Sequence, residues 1–244
     1  MAGHSHWHRV KHKKETADRK RGQIFSKLSR MISVAAREGG GDPATNSQLR
    51  LAIEKAKEFN FPKENIEKAI KRGTGELEGV AFERILYEAF GPGNVAIIIE
   101  GITDNKNRTL NEISQILVQH NGKLAEPGSV RWMFERKGVI TVNVKCQMSN
   151  VKNKDELVLL TIDAGAEDIR WRNDFLEIYT KIEDLEKVKK KLQEKGIKIE
   201  SATLDWVPKQ EIEVEEKNKI ACQKLFEALD ELDSVQEIYS NLKE

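Results

Sequence analysis

The sequence has few of the residues that mark secreted or membrane proteins. Its only two cysteines, Cys146 and Cys222, form neither a CxxC pair nor a disulfide framework, so we expect a reducing compartment. The absence of any run of 18 apolar residues argues against a transmembrane helix. The basic N-terminus lacks the apolar core of a secretory signal. The alternative of a mitochondrial transit peptide is disfavoured because the basic residues run directly into a patterned helix instead of a cleavable spacer. We therefore expect a cytoplasmic protein.

The sequence also lacks the local patterns of common catalytic sites. It contains no Walker A motif, no GxGxxG after a predicted strand, and no carboxylates at an informative spacing. His120 is the only histidine beyond the first twelve residues, and it falls at the end of a predicted helix. The glycines of Gly39–Gly41 precede an Asp-Pro pair, which is typical of a chain break. We predict a protein that is not an enzyme and needs no cofactor.

The net charge is close to zero, but the charges are unevenly distributed. The chain has 41 Lys and Arg against 40 Asp and Glu, a formal net charge of +1. Residues 1–80 carry 17 basic and 10 acidic residues, and residues 1–37 alone carry ten basic and two acidic ones. The rest of the chain is acidic. Such an asymmetry predicts a basic arm that faces nucleic acid.

The first part of the chain predicts an arm followed by a small helical domain. Residues 1–22 show almost no apolar periodicity, so we expect a basic extended arm. Helical spacing of apolar residues begins at about residue 22 and recurs in two further segments. Asn46 is a plausible N-cap of the second helix, and Pro62 suits the first turn of the third, which we expect to end at Gly73. Residues 23–80 therefore form a predicted three-helix domain.

The remainder predicts two α/β units, one inserted into the other. Residues 137–207 are predicted to have the order β-α-β-β-α-β, which is ferredoxin-like. Residues 81–136 and 208–244 are each incomplete, but joined they make a second ferredoxin-like unit, a discontinuous middle domain. Within it, Asn94–Ile102 is nearly all apolar, as expected of a strand covered on both faces, and Val130–Phe134 is predicted to return as a strand. The predicted fold class is α+β and multidomain.

The basic arm and the first and third helices supply the candidate nucleic-acid contacts. Cations there would neutralise phosphates, and an interleaved tryptophan would stack on a base. The alternative is a solvated basic tail. The second and third helices resemble a helix-turn-helix in outline, as those of any three-helix bundle do. The candidate contacts are Trp7, Arg9, Lys11, Lys13, Lys14, Arg19, Lys20, Arg21, Lys27, Arg30, Lys71 and Arg72.

Two further groups of polar residues have competing interpretations. The loop 103–109 joins a buried strand to a helix, where Arg108 is a candidate ligand contact. A structural role explains the rest of this loop, with Asn107 as the helix cap and Asp104 in an Asx-turn. The arm also contains four histidines, His4, His6, His8 and His12, which could hold copper or nickel. No cysteine or carboxylate completes a closed site, so we predict no physiological metal.

Several motifs spread over the whole chain resemble those of the YebC/PmpR family. His6 and His8 replace a more usual lysine and small residue. The matching segments are MAGHS (1–5), Trp7, KHKK (11–14), KRG (20–22), IFSKL (24–28), GGGDP (39–43), PKENI (62–66), AIKRG (69–73), TDN (103–105), NRT (107–109), EPGSV (126–130) and WMF (132–134).

The resemblance implies a cytoplasmic protein of three domains, with a discontinuous middle domain, that acts as a probable DNA-binding transcriptional regulator. Related proteins include a mitochondrial translational activator, so the resemblance also allows a translation factor that contacts ribosomal RNA at the ribosome. A third interpretation is a protein-interaction module, because residues 208–244 hold five lysines against ten acidic residues. Phosphate contacts do not distinguish DNA from RNA, so both stay open as partners.

Overall fold

The computed structural model describes residues 18–144 and 154–243, with side chains from residue 21 onward. In chain order the elements are α1 (Asp18–Gly39), α2 (Ser47–Glu58), α3 (Lys63–Thr74), β1 (Glu83–Gly91), β2 (Val95–Thr103), α4 (Lys106–Gln119), β3 (Lys123–Ala125), β4 (Phe134–Asn143), α5 (Lys154–Ala164), β5 (Asp168–Arg172), β6 (Phe175–Thr180), α6 (Leu185–Glu194), β7 (Ile199–Pro208), α7 (Glu216–Asp230) and β8 (Val235–Ser240). The predicted fold class is confirmed.

The described residues divide into two compact units. One holds residues 133–210, and the other holds the described residues before 133 together with those after 210. The second unit contains the three helices α1 to α3 and the middle α/β domain, each with its own hydrophobic core. The domain boundaries expected from the sequence, 81–136 with 208–244 and 137–207, remain predictions at the level of single residues.

Helices α1 to α3 pack around a small core of mostly aliphatic side chains. Helix α1 begins at Asp18, so part of the expected extended arm is helical. The ring of Phe25 meets that of Phe61 edge to face, with centroids 5.0 Å apart. The buried core residues are Leu28, Ile32, Ala35, Ala36, Leu49, Ala52, Ala56, Phe61, Ile66 and Ala69.

Asn46 is the predicted N-cap of α2, and the structure confirms it. Its Oδ1 accepts a hydrogen bond from the Leu49 N–H at 3.0 Å, which satisfies a free donor in the first turn. Its Nδ2 donates to the carbonyl oxygens of Ala35 at 2.7 Å and Gly40 at 2.8 Å. One buried amide therefore caps the end of α1 and the start of α2.

The third helix does not end at Gly73 as expected. It continues to Thr74 and is closed by Gly75, whose φ of 82° lies in the left-handed region that glycine favours. Gly73 has a packing role instead, because a Cβ there would lie 2.3 Å from the carbonyl oxygen of Ser33 and 2.8 Å from Cβ of Ala36. The missing side chain lets α3 approach α1 closely.

The middle domain is an antiparallel sheet in the order β3-β1-β2-β8. Helices α4 and α7 cover one face, where Ile97, Ile99 and Phe226 are fully buried. Strand β2 is buried along most of its length on both faces, as its apolar run predicts. The chain order here is β-β-α-β-α-β, so this unit shares the layers of a ferredoxin-like fold but not its order of elements.

The expected return strand at Val130–Phe134 is wrong. The third strand of the sheet is Lys123–Ala125, and Arg131–Met133 form a 3-10 turn before β4 begins at Phe134. The Val130 N–H donates to a side-chain carboxylate instead of a neighbouring strand. A short apolar run has the same pattern in a strand and in a partly buried turn, so periodicity alone could not distinguish the two.

Residues 133–210 form a second antiparallel sheet in the order β5-β6-β4-β7. The chain order β-α-β-β-α-β confirms the ferredoxin-like prediction. Helices α5 and α6 pack on one face against a core that includes Ile140, Leu176 and Ile178. The long strands β4 and β7 bring the two ends of this unit together, because Phe134 pairs with Pro208.

Candidate nucleic-acid interface

The structure describes only part of the predicted basic arm. Arg19, Lys20 and Arg21 lie in the first turns of α1, and Arg21 is exposed with its guanidinium 5.4 Å from the centre of the Phe25 ring. Basic residues at a helix N-terminus repel its partial positive charge, so this end of α1 favours an anionic partner. Trp7, Arg9, Lys11, Lys13 and Lys14 lie outside the described residues, as do all four arm histidines.

Lys27 contacts the acidic end of α7. Its Nζ lies 2.8 Å from Oδ1 of Asp230 and donates to the Asp230 carbonyl oxygen at 2.7 Å. One turn earlier, the Gln23 amide donates to the carbonyl oxygens of Asp230 at 3.1 Å and Glu231 at 2.6 Å. A helix C-terminus presents free carbonyls and partial negative charge, which a lysine ammonium complements. The structure therefore places Lys27 at a domain contact.

Arg30 has a similar position one turn further along α1. Its Nη2 lies 3.7 Å from Oδ2 of Asp233, and its Nη1 donates to the Ile102 carbonyl oxygen at 3.4 Å. The guanidinium also lies 5.4 Å from the centre of the Phe82 ring. These contacts give Arg30 a role in seating α1 on the middle domain, which sequence reasoning did not anticipate.

Two further ion pairs join the helical domain to the same sheet. Nζ of Lys55 on α2 lies 2.6 Å from Oε1 of Glu237 on β8. Nε of Arg84 on β1 lies 3.0 Å from Oε2 of Glu38. Part of the acidic excess of residues 208–244 is thus used within the protein, where it holds the basic helices against the middle domain.

Lys71 and Arg72 lie in the last turn of α3 and are exposed. Cations at this end of a helix are stabilised by its partial negative charge. Neither forms an ion pair within 4.0 Å of another described residue, so both cations face solvent. Of the predicted helix contacts whose side chains the structure describes, Arg21, Lys71 and Arg72 are exposed.

Arg108 is half-exposed and lies beside two carboxylates on its own loop and helix. Its Nη2 contacts Oδ1 of Asp104, and its Nε lies 3.9 Å from Oε1 of Glu112. The helix cap is Asn105, whose Oδ1 accepts from the Arg108 N–H at 3.0 Å, and the expectation of Asn107 was wrong. The helix therefore begins two residues earlier than the sequence suggested. Thr103 Oγ1 accepts from the Asn105 N–H at 2.9 Å, which holds the capping residue in place.

A buried glutamate organises a loop that sequence reasoning did not single out as a site. Glu88 on β1 is 5% exposed, and its carboxylate accepts three backbone N–H bonds, from Gly128 and Val130 at 2.6 Å and from Arg131 at 2.8 Å. An acidic residue in the middle of an apolar strand was the available signal. The loop residues 126–132 are therefore fixed to the sheet by charge-assisted hydrogen bonds.

The same loop holds an exposed tryptophan. The Trp132 side chain is 64% exposed, although its Nε1 donates to the Ser129 carbonyl oxygen at 2.9 Å. Val130, two residues before it, is fully buried. The indole is thus held by an anchored backbone while most of the residue is exposed to solvent.

Replacing Glu88 with glutamine is expected to lower the free energy of unfolding by about 2 kcal/mol at neutral pH, because hydrogen bonds to a charged acceptor are lost. Burial alone would raise the pKa of Glu88, but the three N–H bonds and the charge of Arg131 together lower it. The stabilisation should therefore be complete above about pH 4.3, the unfolded pKa, and lost as pH falls through the folded one.

Thermal unfolding of both proteins at several pH values measures this difference. The gap between wild type and Glu88→Gln should narrow as the solution becomes acidic. Glu126→Gln, an exposed change in the same loop, serves as the control and should have little effect. Equal melting temperatures for Glu88→Gln and Glu126→Gln at neutral pH would contradict the anchoring role.

Cys222 and the potential metal ligands among the described residues bear on whether the protein holds a reactive thiol or a metal site. Cys222 is buried, its thiol donates to the Pro92 carbonyl oxygen at 3.3 Å, and burial raises its pKa to about 11, so it is a poor nucleophile. Across residues 18–144 and 154–243 there is no group of three or more His, Cys, Asp or Glu placed to hold a metal ion. No helix in these ranges is long and apolar enough to cross a membrane.

Comparison with known proteins identifies relatives over the full chain. Residues 5–76 match the family model of the TACO1/YebC N-terminal domain, and residues 82–242 match the model of the TACO1/YebC second and third domains. A protein from Halothermothrix orenii named a probable transcriptional regulatory protein is 52% identical over 99% of this chain and 94% of its own. A protein of the same name from Pseudothermotoga lettingae is 52% identical over 100% of this chain and 94% of its own.

A solved structure shares the whole architecture. The crystal structure of a conserved hypothetical protein from Aquifex aeolicus covers 98% of this chain and 97% of its own, with 44% sequence identity and a TM-score of 0.86. Together with the two family models, this match extends over nearly the whole chain. The chain belongs to the TACO1/YebC family.

Proposed function

We propose that this protein is a non-enzymatic regulator of gene expression that binds nucleic acid, most simply DNA in transcriptional control. Relatives about half identical to it are named probable transcriptional regulatory proteins. The observation that carries the proposal is the concentration of seven Lys and Arg against two acidic residues in residues 1–21, which continues into the first turns of α1. A segment of this kind neutralises phosphates and releases counterions.

The contacts of the described residues support two different roles for the basic side chains of α1. Lys27 and Arg30 hold α1 against the middle domain, so they orient the helix rather than grip the ligand. Arg21, at the other end of α1, is exposed, and the arm precedes it. The acidic segment 208–244 of the middle domain would then repel phosphate while the arm attracts it, so nucleic acid approaches from the arm side.

The test is a variant in which Lys13, Lys14, Lys20 and Arg21 are all replaced with alanine. Its affinity for a labelled DNA duplex should fall, and the slope of log K against log salt should flatten by up to about one per lost phosphate contact. Fluorescence anisotropy over a range of salt concentrations gives both values.

A matched control removes the same charge elsewhere. Lys181, Lys187, Lys190 and Lys198 are exposed in the unit formed by residues 133–210, and replacing all four with alanine should leave affinity and slope nearly unchanged. If the arm variant bound as tightly as wild type with the same slope, the proposal would fail. The same titration with ribosomal RNA fragments separates DNA from RNA as the preferred partner.

A further inference from the structure

We propose that Trp132 is a stacking platform for an unpaired base, so that the nucleic acid bound by this protein includes a single-stranded stretch. The inference rests on the proposed function, because the arm supplies the phosphate contacts and Trp132 adds a contact to a base. Trp132 is 64% exposed, although the backbone of its loop is held to the sheet by hydrogen bonds to Glu88.

The exposure of Trp132 is not the result of a loose loop. Three backbone N–H groups bond to Glu88, the Ser129 N–H donates to the Glu126 carbonyl oxygen at 3.0 Å, and Val130 is fully buried. The hydrogen bond from Nε1 to Ser129 also fixes the indole itself. A ring that is already oriented loses little freedom when a flat ligand stacks on it.

The surroundings of Trp132 fit a base better than a protein partner. The fully buried cores of protein interfaces are depleted in charged residues and are more apolar than the rest of the surface. Here the exposed residues of the loop are Glu126, Pro127, Gly128 and Arg131, and no other large hydrophobic side chain of the loop is exposed. An isolated aromatic ring beside charged groups is typical of sites where bases stack on proteins that bind single strands.

The position of the loop also connects it to the basic helices. Glu88 and Arg84 are four residues apart on β1, so their side chains leave the same face of the sheet about 13 Å apart. Arg84 contacts Glu38 at the end of α1 and Gln48 on α2. Lys123, paired with Phe90 on this face, is exposed 5.8 Å from the centre of that ring. The loop and the helical domain therefore share one side of the sheet.

The experiment uses the full-length protein with Trp132→Ala and Trp132→Phe. The probes are a labelled single-stranded RNA and DNA of about 12 nucleotides and a DNA duplex of equal length. Trp132→Ala should weaken binding to the single strands about tenfold, with an unchanged salt slope, since stacking releases no counterions. Trp132→Phe should restore most of the affinity, and duplex binding should not change.

Trp171→Ala, on β5 in the other compact unit, is the matched control and should bind both probes as wild type does. Unchanged binding of single strands by Trp132→Ala, or an equal loss for single strand and duplex, would overturn the inference. The arm variant separates the two proposals. If it loses affinity while Trp132→Ala does not, only the stacking inference fails, whereas unaltered binding by the arm variant contradicts the proposed function.

Discussion

Deleting residues 211–244 is expected to unfold the middle domain although the deletion leaves most of its strands in the chain. The deleted segment contains β8, which pairs with β2, and α7, whose Leu225, Phe226 and Leu229 are buried in the core. Without them β2 becomes an edge strand, and only α4 is left to cover the face of the sheet that α7 shared with it. Losing several large buried side chains costs more free energy than the whole stability of an ordinary domain. The same deletion removes Asp230 and Asp233, the partners of Lys27 and Arg30.

Hydrogen exchange followed by mass spectrometry would locate the effect. Amides of β1 and β2 should lose protection in the truncated protein, while those of β4 and β6 keep theirs because their sheet is complete within residues 133–210. The control replaces residues 135–207 with a short Gly-Ser turn, which the pairing of Phe134 with Pro208 permits. Protection of β2 should survive in that variant. Retained protection of β2 after truncation would refute the discontinuous middle domain.

Gly73→Ala is expected to destabilise the helical domain by about 3 kcal/mol. The new Cβ would lie 2.3 Å from a backbone oxygen of α1, an atom that cannot move without shifting the helix. Helices α1 and α3 would have to separate, and the hydrogen bond from Ser33 Oγ to the Ala69 carbonyl oxygen, 2.9 Å, would be strained or lost. Thermal unfolding monitored by circular dichroism gives the change.

Gly22→Ala provides the matched comparison within the same domain. Gly22 lies in α1 with nothing within 4 Å of the position of a Cβ, so alanine there should stabilise the helix by up to about 1 kcal/mol through its higher helix propensity. The same chemical change is thus expected to have opposite signs at the two glycines. Equal melting temperatures for the two variants would show that α1 and α3 do not depend on their close approach.

Much of the fold follows from local patterns. The spacing of apolar residues on α1 to α3, the Asn46 cap, the doubly buried strand β2 and the order of elements in residues 133–210 are all recoverable from the sequence. Each depends on neighbours within one element, where periodicity and capping chemistry act directly. Where the same local pattern fits two settings, as at Val130–Phe134 and Gly73, sequence reasoning chose the wrong one.

The candidate site is harder to predict from the sequence, because the sequence does not show which residue a charged side chain will pair with. In the sequence, nothing distinguishes Lys27 and Arg30 from Arg21. In the structure, Lys27 pairs with Asp230 at the end of α7 and Arg30 with Asp233 in the loop after it, each more than 200 residues away along the chain. The exposure of Trp132 depends on Glu88, 44 positions earlier, and no local pattern encodes that bond.

The sequence by itself determined the family, the fold class and the concentration of positive charge in the arm. These are properties of residue types and their order, and they persist whatever the chain packs against. Only the tertiary structure decided which cations serve the contact between domains, which remain exposed, and which aromatic ring is held outward. Those outcomes depend on distances between groups far apart in the chain, because Coulombic attraction and burial act through space.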